Sequence, residues 1–130
     1  MKARLLSTVC IFFSLWVMRG LTHGQMAAAS LQVSPTHLDF GMQVVGSESR
    51  PEIITVSNPT SATITLAEVI ASGIDFHEKS DCGKDLAPGA HCTIEVSFEP
   101  AISGQWIGSV YITASDSGSP HFVALVGTGE

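Results

Sequence analysis

From Leu31 onward, apolar and polar residues alternate with a period of two, and clusters of Gly, Pro, Ser and Asp interrupt the alternation about every ten residues. Successive strand side chains point to opposite faces, so this pattern predicts short, half-buried strands; no stretch keeps the spacing of a helix. Leu31 and Val33 precede Pro35, and Leu38 and Phe40 precede Gly41. Residues 52–58 place Ile54 and Val56 on one face before the turn residues Asn58-Pro59-Thr60-Ser61. Ala62, Ile64 and Leu66 then oppose Thr63 and Thr65, and residues 69–76 are less regular, broken by Ser72-Gly73. Cys92, Ile94, Val96 and Phe98 against Thr93, Glu95 and Ser97 give the cleanest alternation. Trp106, Gly108, Val110 and Ile112 follow, and residues 122–126 form the last strand after Asp116-Ser117-Gly118-Ser119-Pro120. Seven to eight short antiparallel strands in a single domain predict an all-β protein, a sandwich with a barrel as the competing architecture. Trp106 is expected in the core and Tyr111, of opposite parity, outside.

The first thirty residues follow another pattern. Lys2 and Arg4 precede residues 5–18, an uncharged apolar run of 14 residues. A membrane span needs about 20, so the run is short for an anchor and suits a signal peptide. Residues 1–29 are therefore expected to be a leader, cleaved after Gly24 or Ala29, with the domain in residues 30–130. Cys10 would leave with the leader, and membrane contact would come only through an uncleaved leader.

Charge then narrows the partners. Residues 30–130 hold three Lys/Arg against twelve acids, a net charge of −9. Such a surface repels polyanions, so no nucleic acid is expected as partner. Hydrophobic residues at 45% and charged residues at 14% exclude a disordered, highly charged chain.

Cys82 and Cys92 remain as an even pair in an exported chain, which reads as a disulfide. Free thiols and a metal pair are the competing readings; the metal reading lacks a C-x-x-C and a second ligand pair. Pro88-Gly89 between the cysteines suits a type II turn that brings the strand ends together.

No nucleophile elbow, phosphate loop or zinc-binding helix motif is present, and no catalytic, cofactor-binding or metal residue is assigned. Glu95 and Glu99 flank Ser97 on one strand face, but two acids four residues apart on a strand are more than about 12 Å apart. His37, His77, His91 and His121 are scattered singly, and the acids Asp75, Glu78, Asp81 and Asp85 lack the order of a calcium loop. Asn58 precedes Pro59, which blocks N-glycosylation there.

The order of the segments resembles the ASH family, also called Hydin-like or choice-of-anchor D domains. Residues 34–41 (SPTHLDFG) are similar to its opening, followed by Val45-Gly46-Ser47, Thr55-Val56-Ser57-Asn58 and Gly73-Ile74-Asp75-Phe76. Residues 86–94 (LAPGAHCTI), Val96-Ser97-Phe98-Glu99-Pro100 and Leu125-Val126-Gly127-Thr128-Gly129 complete the series. The paired cysteines and the leader resemble the bacterial exported members. The resemblance implies an immunoglobulin-like sandwich without enzymatic activity, secreted or periplasmic, that serves as a protein-interaction or structural module. A protein partner is implied, through an unpaired sheet edge or the loops at one end. The alternative is a small periplasmic metal-binding protein or enzyme using His77, His91 and the acids around Asp81.

Overall fold

A computed structural model describes residues 30–130. The expected leader, its cleavage positions and Cys10 lie outside the described residues. The strands are β1 (Gln32–Ser34), β2 (His37–Gln43), β3 (Glu52–Ser57), β4 (Ile64–Ser72), β5 (Phe76–Ser80), β6 (Asp85–Leu86), β7 (His91–Phe98), β8 (Gly104–Ala114) and β9 (His121–Gly129). They form a four-stranded sheet in the order β1-β3-β7-β5 and a five-stranded sheet in the order β2-β9-β8-β4-β6. The two sheets face each other as an immunoglobulin-like sandwich.

Three particulars differ from the sequence reading, each for a local reason. The described residues form nine strands, two of which, β1 and β6, have only three and two residues. Pro35 has no N–H to continue a ladder, and the chain changes sheets there. As a result β1 pairs antiparallel with β3, while β2 pairs parallel with β9, among the described residues the one departure from the antiparallel rule. Ile64–Ser72 form one strand rather than two. A bulge between Leu66 and Glu68 shifts the parity, so Leu66 before it and Val69 and Ala71 after it all face the core.

The predicted inward positions make the core. Ile54 and Val56 of β3, Ile94, Val96 and Phe98 of β7, Val110 and Ile112 of β8, and Val123 and Leu125 of β9 are fully buried. Each such side chain stabilises the fold by roughly 1.5–3 kcal/mol. Phe40, Phe76 and Phe98 meet at one end with ring centroids 5.0–5.9 Å apart.

Asn58, 1% exposed, joins the two sheets at the other end. Its amide donates to Ala62 O and Leu86 O at 2.8 Å each, and its Oδ1 accepts from Thr60 N and Thr60 Oγ1. Its own N–H donates to Ala90 O, and its carbonyl accepts from Gly89 N. An Asn58→Ala variant would remove the side-chain bonds to Ala62 O and Leu86 O that tie the two sheets together. The expected loss is about 1–3 kcal/mol of stability in urea denaturation; an unchanged midpoint would refute this role.

Asp116, whose side chain is 1% exposed, pins the start of the domain to the β8–β9 turn. Its Oδ2 accepts from Leu31 N at 3.0 Å and sits 2.7 Å from His121 Nε2. Burial pushes the Asp116 pKa up, but the Leu31 N–H and the His121 ring outweigh burial and hold it below the ordinary aspartate value of 3.8. A lowered folded-state pKa means the carboxylate stabilises the fold above the ordinary value. That contribution is lost as the pH falls through the lowered one. The urea midpoint should therefore drop on acidification below about pH 4, and Asp116→Asn should flatten that drop; an equally steep profile in the variant would count against the clamp.

Candidate interaction site

Each sheet leaves two edges: β1 and β5 in one, β2 and β6 in the other. Strand β5 is the edge with the most unpaired backbone on its own sheet's rim. Glu99 N donates to Asp75 O at 2.8 Å, and Asp81 N donates to Thr93 O at 3.1 Å. Ladder bonds alternate along an antiparallel strand, so odd residues bond β7 and the N–H and C=O of Glu78 and Ser80 point away from it. Phe76, buried at 5%, anchors the start of the strand in the core. Glu78 and Ser80 share its face but lie at the rim, where both are exposed. An inward-pointing charge is one device that keeps an edge from pairing indiscriminately.

Along this edge runs an open cleft of about 600 Å³ between β4 and β5. Leu66, Glu68 and Val69 form its β4 wall, with Glu78, Ser80 and Lys84 opposite. Leu66 gives it an apolar floor, and Glu68, Glu78 and Lys84 place both signs of charge at its mouth. Strand β6 covers only the first residues of β4, at Ile64 and Thr65, so the cleft lies where both sheets have open edges.

Cys82 and Cys92 are joined by a disulfide, with Cα atoms 5.1 Å apart. Cys82 follows β5 and Cys92 lies on β7, so the bond closes the end of the edge strand onto its only partner. The turn between them has Gly89 at φ +75° and Ala90 N donating to Ala87 O at 3.0 Å. It links β6 to β7, which belong to different sheets, so it passes the chain between sheets instead of closing a hairpin. Asp81 accepts from Thr93 N at 2.6 Å and from Thr93 Oγ1 at 3.1 Å. The Thr93 N–H is the main cause of its lowered pKa. Asp81 lies within 4.8 Å of both sulfurs. Sulfurs bonded to each other carry no thiolate, so this trio offers a metal a single carboxylate.

The other residues singled out in the sequence do not converge. Glu95 and Ser97 share the outer face of β7 and line a hollow of about 210 Å³ with His77 and Lys79, while Glu99 lies just past the end of the strand. Ser97 donates to Glu48 Oε1 at 2.5 Å, while His77 Nε2 sits 3.7 Å from Glu99. The serine is thus paired with an acid and the histidine with a different one, which is no nucleophile–base arrangement. His77 stands opposite Ser97 and His91 opposite Ser57. The two positions are six steps apart on β7, about 20 Å along the strand, so they cannot share an ion. Asp75 lies in the turn before β5 and Asp85 in β6, whereas Asp81 follows the far end of β5. Trp106 is only half-buried, with Nε1 donating to Ile102 O at 3.3 Å, and Tyr111 faces out as expected.

Sequence reasoning missed β5 and its cleft. After Phe76 the inward positions are Glu78 and Ser80, so no apolar alternation marks the strand.

Residues 29–128 match the family described as the HYDIN/CFA65/VesB-like, Ig-like domain. Among curated protein sequences, none matches at a significant level. Several solved structures share the fold. A Porphyromonas gingivalis W83 protein of unknown function superposes with a TM-score of 0.66 at 16% identity, over 81% of this chain and 50% of its own. The ASH/PapD-like domain 7 of human CEP192 gives 0.62 at 10% identity, over 79% and 87%. The Vibrio cholerae VesB protease gives 0.60 at 18% identity, over 92% and 35%. The chain thus spans half the length of the P. gingivalis protein and about a third of VesB.

Proposed function

The chain belongs to the HYDIN/CFA65/VesB-like Ig-like domain family, and from that premise we propose that it is an exported, non-enzymatic module that binds another protein by strand addition. The observation that carries this reading is the free edge of β5 beside an open cleft. An extended segment laid there would pair its backbone with Glu78 and Ser80 and place alternate side chains against Leu66 and Val69. Residues 1–29 act as the leader, removed after Gly24 or Ala29, and residues 30–130 are the exported domain. The disulfide favours an oxidising compartment, outside the cell or in the periplasm. The metal or enzyme alternative finds no support in the positions of His77, His91 and Asp81.

The test is cross-linked affinity capture of the tagged chain from the envelope and medium of the producing cell, with intact mass on the same sample. One dominant partner is expected, on a chain lacking its leader and lighter than the reduced form by two hydrogens. A Glu78→Pro variant removes an outward N–H and no ladder bond, so it should fold normally and lose the partner. Undiminished capture by a folded Glu78→Pro chain would overturn strand addition at β5.

A further inference from the structure

The solvent face of an antiparallel sheet is normally polar. In the five-stranded sheet, Ile70 of β4 stands opposite Tyr111 of β8, and Tyr111 opposite Phe122 of β9, so the three form one row across three strands. All three are exposed, at 44%, 39% and 53%, and Ile107 on the same face of β8 is 74% exposed. The Tyr111 and Phe122 rings pack edge to face, with centroids 5.1 Å apart at 78°. Such an apolar row on an exposed sheet marks a contact surface more often than solitary exposed residues do.

Charge decides what could cover it. The strands of this sheet contain no Lys or Arg, and Asp39 and Glu68 stand on the same outer face, opposite Val126 and Thr113. Residues 30–130 hold twelve acids against three Lys/Arg. A second copy would bring the same negative charge to the contact, and a polyanion would be repelled. A cationic partner gains on both counts, because Lys or Arg side chains pair with the flanking acids and lie over the aromatic rings.

We propose that the outer face of the five-stranded sheet, centred on Ile70, Tyr111 and Phe122, docks a basic segment of another protein that carries apolar side chains. This surface and the β5 edge belong to different sheets, so either can fail without the other.

The experiment selects peptides from a random dodecapeptide phage library on the purified chain. Enriched peptides should combine Lys or Arg with aromatic or branched aliphatic residues, and bind more weakly as salt is raised. Ile70→Thr with Phe122→Thr changes only exposed side chains and keeps β-forming residues, so the fold, checked by circular dichroism, should persist. Peptide affinity should fall by roughly tenfold or more in that variant. Asp39→Asn with Glu68→Gln should weaken it several-fold, and Glu78→Pro should leave it unchanged. Amide NMR shifts should gather on Ile107, Tyr111 and Phe122. No enrichment, enrichment of acidic or uncharged peptides, or full binding by the folded Thr variant would overturn the proposal. Self-association through this face in sedimentation, or glycan binding with shifts on the same residues, would overturn it equally.

Discussion

Phe98→Ala is expected to lower the stability of the domain by roughly 3–5 kcal/mol, the usual cost of deleting a buried aromatic ring. Phe98 is fully buried and is the cross-strand partner of Phe76, with ring centroids 5.0 Å apart. It also rests on the bare backbone of Gly127: a Cβ there would lie 2.5 Å from Phe98 Cε2. The site cannot collapse easily, because Phe40 and Phe76 are held by β2 and β5 on either side. A domain of this size has only about 5–15 kcal/mol in total, so the midpoint of thermal unfolding should fall on the order of 20 °C. The same geometry predicts a coupling. Gly127→Ala alone should destabilise by about 1–3 kcal/mol through overpacking, but much less in the Phe98→Ala background, where its methyl enters vacated space. A double-mutant cycle in urea reads this directly; additive effects would mean the two residues do not share the space. Because Phe76 anchors β5, the Phe98→Ala chain should also bind poorly at the β5 edge.

The core was legible because strand parity is a strict rule. Cys92, Ile94, Val96 and Phe98 point inward for the same reason that Thr93 and Glu95 point outward. Parity is also where legibility ended. The bulge at residues 66–68 inverts it in the middle of β4, and nothing in the run Leu-Ala-Glu-Val announces which residue is the extra one. In β5 the inward positions lie at the rim of the sandwich, where a charge is tolerated. The strand that carries the candidate site therefore shows no apolar alternation. Neighbours in space were beyond any local pattern: Glu48 reaches Ser97 across 49 residues, and Leu31 N–H reaches Asp116 across 85. The apolar row on the outer face was half visible. The parity of Tyr111 placed it outside, but only the register of β4, β8 and β9 brings Ile70 and Phe122 beside it.

Replacing both Cys82 and Cys92 by Ala is expected to cost roughly 3 kcal/mol, from the entropy of an open chain otherwise closed into a loop of about 11 residues. For a domain near 100 residues that lowers the thermal midpoint by on the order of 15 °C. Two terms are mixed in the variant, since Cys92 is also a core side chain, 7% exposed. Reducing the native disulfide removes the cross-link and keeps both sulfurs, so the difference between reduced chain and Ala variant isolates packing. The two should agree within about 1 kcal/mol, because Cys82 is only partly buried and Ala still fills part of the Cys92 site. The loss should not be spread evenly. β5 bonds to β7 alone, whereas β8 and β9 are held on both sides within their sheet. Opening the cross-link frees the C-terminal end of β5, and amides of His77 and Lys79, which bond to β7, should exchange with solvent faster, while those of β8 and β9 change little. Uniform acceleration across both sheets, or a midpoint shift of only a few degrees, would show that the disulfide is not what holds the edge strand. If β5 is the strand a partner extends, the disulfide acts on function through register. A frayed edge must be reordered before it can pair, and that cost appears directly as lost affinity.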